Sequence, residues 1–160
     1  MSRSRKILGI LWSLPACLVG WVLGILLVLF FQIEKFKVQK DWTFVWDFKE
    51  DGWFFKLAMG EHGWAGYSIG NNIFIEDLDD ERWIRTLIHE NTHCLQWYRW
   101  GFLFIFVYVI ESLRIYFLEE DKHSYYDNKF EIEARKAAGQ PVVIPRTAWK
   151  DGPNDRWAWW

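Results

Sequence analysis

The chain has 160 residues, enough for one compact domain beside a membrane segment. Hydrophobic residues make up 51% and aromatics 20%, with 13 Trp, a composition that suits both a small core and a membrane interface. The net charge of -2 comes from acids and bases mixed along the chain, which argues against a nucleic-acid partner and its clustered Lys and Arg.

Residues 1–6 are short and basic, and no charged residue occurs from Ile7 to Phe31. That run exceeds the roughly 20 residues needed to cross a hydrocarbon core. A cleaved signal peptide has a shorter apolar region and a small-residue cleavage site, and neither is found here. Leu14-Pro15-Ala16-Cys17 resembles a lipoprotein box, but a strongly apolar stretch follows it rather than a polar linker. The reading is an uncleaved N-terminal transmembrane anchor over 1–33, with Pro15 placed to kink its first half. The basic flanks nearly balance, so the side of the membrane stays open. Cys17, inside this run, and Cys94 are read as free thiols.

Trp42 to Phe48 alternates aromatic with other residues and predicts a strand. Asp51-Gly52 is a turn signal, which predicts a hairpin into Trp53–Met59. Tyr67–Ile69 and Asn72–Ile75 read as a strand or strand pair. Asp77, Asp79 and Asp80 suit the start of a helix running from about Asp80 to Trp100. Ile84, Leu87, Ile88, Asn91 and Leu95 recur at helical spacing and predict its inward face. Gly101 is expected to end it. Phe102–Ile110 and Ile115–Leu118 predict a buried or bilayer-surface helix rather than a second crossing. Asn128–Ala138 predicts a last helix, closed by Gly139 and Pro141. The tail 140–160 is Trp-rich and without periodicity.

His89-Glu90-Asn91-Thr92-His93 carries the chemistry. Histidines at i and i+4 project from one helical face, where two imidazole nitrogens can meet one zinc ion. Glu90, on the adjacent flank, can reach a zinc-bound water and take its proton without occupying a ligand position. A catalytic zinc needs a third protein ligand and an open position. Glu131, Glu133 and His123 are the candidates. Glu131 and Glu133 lie two apart on a helix, so only one of them can face the metal; His123 sits in a polar connecting segment, where a surface histidine is expected. Tyr125 and Tyr126 are read either as oxyanion stabilisers or as an aromatic packing pair. His62 has no partner visible from sequence.

The motif resembles the zincin metallopeptidases, and within them the gluzincins. The metzincin pattern fails, because Arg99 stands where a third histidine would be and Gln96 replaces a glycine. In gluzincins a glutamate of a later helix, in a Glu-x-x-Ala context, completes the site; Phe130-Glu131-Ile132-Glu133-Ala134-Arg135 matches that context and favours Glu131. Thr86–Trp100 together with Tyr126–Ala138 is similar to small bacterial proteins of this type, in which a Gln-aromatic-x-Arg-x-Gly stretch follows the motif as Gln96-Trp97-Tyr98-Arg99-Trp100-Gly101 does here. Arg135 departs from the Asp that often follows the alanine, so the supporting hydrogen bond of that Asp is missing. The resemblance also implies an edge strand near the motif that pairs with an extended substrate, and Tyr67–Ile75 is in the right place in sequence. An ordinary sheet strand is the equal alternative.

These readings combine into an α+β chain: an N-terminal transmembrane helix (1–33), a zincin-like domain (34–139) with a short antiparallel sheet on the motif helix and a C-terminal ligand helix, and the tail. The expected function is zinc-dependent hydrolysis of peptide bonds in a peptide or protein substrate. Glu90 is the catalytic residue, His89, His93 and Glu131 are the zinc ligands, and membrane lipid is a partner. A non-catalytic, membrane-associated zinc-binding or structural protein on the same scaffold is the alternative.

Overall fold

The computed structural model describes residues 3–39, 42–49, 52–53, 66–76 and 83–149. The protein is α+β and divides into two compact units, residues 1–102 and 103–160.

The first unit opens with two helices, α1 (Arg3–Trp12) and α2 (Leu14–Leu29). The apolar run is therefore not one helix. Ser13 interrupts it, its hydroxyl donating to the carbonyl of Gly9 at 2.9 Å. Pro15 falls in the first turn of α2, where its missing N–H is no loss, so it starts a helix instead of kinking one. At 16 residues α2 is about 24 Å long, short of the ~30 Å hydrocarbon core.

Among the described residues the sheet has four strands in the order β1-β2-β4-β3: β1 (Ile33–Val38), β2 (Phe44–Phe48), β3 (Gly66–Ile69) and β4 (Asn72–Glu76). β1–β2 and β3–β4 are antiparallel, but β2 and β4 run parallel, so the sheet is mixed where a purely antiparallel one was expected. β1 carries Glu34, Lys35 and Lys37 on a largely exposed strand, which hid it from a reading based on apolar alternation. β2 starts at Phe44 and not at Trp42, because Trp42 has a φ of 66° that no strand accommodates. The expected strand Trp53–Met59 and the Asp77–Asp80 helix start lie largely or wholly outside the described residues, as does His62.

Alternation along β2 and β4 builds two cores. Trp46, Phe48 and Phe74 face α2 and pack with Leu27; Val45, Ile73 and Ile75 face the opposite way and pack with Cys94 and Tyr98 of α3 (Trp83–Trp100). Ile10 of α1 joins the second cluster. α2 therefore lies on one face of the sheet while α1 packs with α3, which covers the other, and the break at Ser13 lets the chain pass around the β3–β4 turn. There Gly70, at φ 63°, lies so close that a Cβ would sit 2.5 Å from the Cys17 nitrogen.

Small residues set the close approach of α2. A Cβ on Gly24 would sit 2.5 Å from the Trp46 ring, and one on Gly20 would sit 2.5 Å from Asn72 Nδ2. Asn72 is fully buried; its amide nitrogen donates to the Cys17 carbonyl (3.1 Å), and its oxygen accepts from Trp46 Nε1 (3.0 Å). The segment expected to stand alone as an anchor is built into the sheet.

In the second unit, α4 (Phe104–Leu118) buries Phe104, Glu111, Ser112 and Ile115. α5 (Lys129–Ala137) starts on Asn128, whose Oδ1 accepts from the Phe130 N–H at 3.0 Å. The Asn128 amide donates to Ser112 Oγ (2.8 Å) and to the Tyr108 carbonyl (3.2 Å), tying α5 to α4. Phe130 packs edge-on against Phe104 and stacks on Tyr108. α5 ends at Gly139, in the left-handed conformation at φ 65°, and the Gln140 N–H closes onto the Arg135 carbonyl. After α4, Lys122 and then Arg114 hold the Glu119 carboxyl below its ordinary range.

By length and composition the helical run Trp83–Leu118 is apolar enough to cross a membrane. It is central in the chain rather than N-terminal, and Gly101, at φ 59°, breaks its α geometry as expected.

Candidate metal centre

The buried side of α3 matches the predicted one only in part: Leu87 and Leu95 pack against the second core as expected. Ile84 and Ile88 are exposed, while His89, Glu90, His93, Cys94, Gln96, Trp97 and Tyr98 are buried. The periodicity of aliphatic residues locates only part of this face because most of it is built from polar and aromatic side chains. Cys94 is a small core residue, as expected.

His89 and His93 face each other one turn apart. Their Nε2 atoms are 3.1 Å apart and their rings meet at 70°. Two lone pairs at that separation repel each other unless a proton or a cation lies between them. His93 Nδ1 is 2.7 Å from Gln96 Oε1, and Gln96 is itself buried. An amide oxygen only accepts, so Nδ1 carries the proton and Nε2 presents its lone pair. Sequence reasoning missed this role of Gln96; its signal was a polar residue three positions after the second histidine.

Glu90 lies over β3. A Cβ on Gly66 would sit 3.2 Å from Glu90 Cγ, so the glycine gives the carboxylate its room. β3 is the last strand of the sheet, while β4 is paired on both sides. Among the described residues, β3 is the part of the expected substrate strand Tyr67–Ile75 that has an edge to offer. Trp97 Nε1 donates to the Ser68 carbonyl at 3.3 Å and helps fix β3 on α3. Burial raises the Tyr67 phenol well above its ordinary range, so it stays neutral. Thr92 returns its hydroxyl to the Ile88 carbonyl, 2.9 Å away.

In the second unit, Glu131 occupies the first turn of α5 and is buried. Tyr108 Oη donates to Glu131 Oε1 at 2.9 Å. Arg135 donates to the Tyr126 carbonyl. Glu133 is only half-buried. His123 is fully buried, contrary to the surface position expected of it. Its Nδ1 accepts the Tyr125 and Tyr126 N–H groups, and its ring packs on Tyr126 and Trp149. That local turn uses the nitrogen a ligand would need. Tyr125 and Tyr126 pack edge to face, their ring centres 5.3 Å apart.

His89, His93 and Glu131, all buried, form a group able to hold a metal ion; one ligand atom from each lies within 4.8 Å of the others. Two imidazoles and one carboxylate are a donor set of borderline softness, suited to a divalent transition metal and leaving a tetrahedral ion one position short of closure. No protein-family model, curated protein or solved structure matches the chain.

Proposed function

We propose that this chain is a membrane-attached, zinc-dependent hydrolase of peptide bonds of the gluzincin type. The grouping of His89, His93 and Glu131 carries the reading, because two nitrogen ligands and one oxygen ligand with an open position is the donor set of a catalytic zinc. Zinc bound there would supply a Lewis acid that polarises the scissile carbonyl and brings the pKa of water towards about 7. The chain's own groups do the rest. His93, its Nδ1 proton held by Gln96, keeps Nε2 available as a ligand. Glu90 accepts the proton of the attacking water and passes it to the leaving amine. The β3 edge pairs with the extended backbone of a peptide substrate and holds its carbonyl in register.

Attachment to lipid is the second part of the proposal, and inverted packing supports it. α2 turns Ala16, Cys17, Gly20 and Gly24 inwards and Leu18, Val19, Val22, Ile25, Leu26 and Leu29 outwards. A helix facing water presents polar residues outwards; one facing lipid keeps small residues for its protein contact and large apolar ones for the bilayer. α4 shares the outward part of the pattern: Ile105, Phe106, Ile110, Phe117 and Leu118 are exposed, while Glu111 and Ser112 lie inside beside Phe104 and Ile115.

The test is metal content and turnover of the full chain in mild detergent. The wild type should carry about one zinc per chain, His89→Ala and His93→Ala should carry none, and Glu90→Gln should keep the metal while hydrolysis of a peptide library falls at least a hundredfold. Zinc retained by both histidine variants refutes the site. Zinc without turnover in the wild type supports the non-catalytic alternative.

A further inference from the structure

We propose that Tyr108 is a positioning residue for the metal, fixing the Glu131 carboxylate through the hydrogen bond to Oε1. The inference rests on the reading of Glu131 as a ligand. A carboxylate on a helix can turn about its last torsion and offer either oxygen, or both, to a cation. A phenol bonded to one oxygen makes the two inequivalent. It stops that rotation and favours ligation through a single oxygen.

The surroundings of Tyr108 are built to hold that bond. Its ring stacks on Phe130, the residue before Glu131, with centres 6.0 Å apart and planes at 21°, and meets Phe104 edge-on. Its carbonyl accepts from Asn128, the residue that caps the helix carrying Glu131. Donor and acceptor therefore share one frame: the contacts that place Tyr108 also place the first turn of α5. Arg135, where a supporting carboxylate would be sought, bonds elsewhere, to the Tyr126 carbonyl. Tyr108 supplies a hydrogen bond to Glu131 from α4.

The experiment compares wild type, Tyr108→Phe and Glu131→Gln, each as the full chain in detergent. Three measurements are made: zinc affinity by competition with a chromophoric chelator, the visible spectrum of the cobalt(II)-substituted protein, and the melting temperature without metal. The phenylalanine ring keeps the stack on Phe130, so the metal-free melting temperature should stay close to wild type. Zinc affinity should fall 10- to 100-fold, as for other residues that orient ligands. The cobalt bands should change intensity as Glu131 is released to bind through both oxygens. Affinity within twofold of wild type with an unchanged cobalt spectrum overturns the assignment while the metal site stands. A large fall in metal-free melting temperature also overturns it, by making Tyr108 a structural residue. Wild-type zinc affinity in Glu131→Gln removes the ligand itself, and with it both the site reading and this inference.

Discussion

Replacing Gly20 by alanine is the sharpest test of whether α2 is part of the fold or a free anchor. The new Cβ would lie 2.5 Å from Asn72 Nδ2, 2.7 Å from the Ile69 carbonyl oxygen and 2.9 Å from Asn72 Cβ. One of these is backbone and the others belong to a fully buried side chain, so the helix has to retreat. Overpacking of this kind costs about 1–3 kcal/mol. The retreat also breaks the Asn72–Cys17 hydrogen bond, worth about 1 kcal/mol. Against this, alanine gains roughly 1 kcal/mol of helix propensity over glycine. The net expectation is a loss of about 1–3 kcal/mol. In a helix that touches only lipid, the propensity gain alone would remain and the sign would reverse. Urea unfolding in mild detergent, followed by tryptophan fluorescence, measures the difference; the midpoint should fall at unchanged slope. A midpoint equal to or above wild type would refute the packing argument.

Two further outcomes follow from named contacts. Gln96→Leu removes the acceptor at His93 Nδ1 and should weaken zinc binding 10- to 100-fold with Glu90 untouched, measured by chelator competition. Asn128→Ala loses a helix cap and two buried amide hydrogen bonds; at about 1 kcal/mol each it should cost roughly 2–4 kcal/mol, read from urea unfolding by circular dichroism, and a loss below 1 kcal/mol would show that α5 does not depend on this residue.

The sequence made the motif helix, its end at Gly101, the last helix and its Gly139 stop legible, because these depend on short-range signals. It also singled out His89, His93 and Glu131, which the structure groups together. Parts that depend on partners far along the chain were not legible. The 25-residue apolar run was read by length alone, since nothing local shows that Gly20 and Gly24 are spaced to meet Asn72 and Trp46. Apolar periodicity locates only part of the inward face of α3, Leu87 and Leu95, because most of the buried side chains are imidazoles, an acid, an amide and aromatics that it does not count as inward. β1 is not legible, because a largely exposed edge strand needs no alternation. Gln96 and the Tyr108 hydroxyl each act through one hydrogen bond and Asn128 through three, and of the partners only that of Gln96, three residues away, leaves a trace in spacing.

The strand order has a consequence for the way the first unit assembles. β1–β2 and β3–β4 are each joined by short connections, residues 39–43 and 70–71, and such hairpins form in microseconds. The parallel pair β2–β4 closes only after residues 49–71 have been looped, a non-local step whose entropy is lost before any contact repays it. The Phe44 N–H bonds to the Asn71 carbonyl just where that pair begins, and the next residue is Asn72, which reaches Cys17 on α2. The register of the two hairpins and the seating of the N-terminal helix therefore meet at one turn. The slow phase of folding should end there, and α2, although synthesised first, should be among the last elements to find its place.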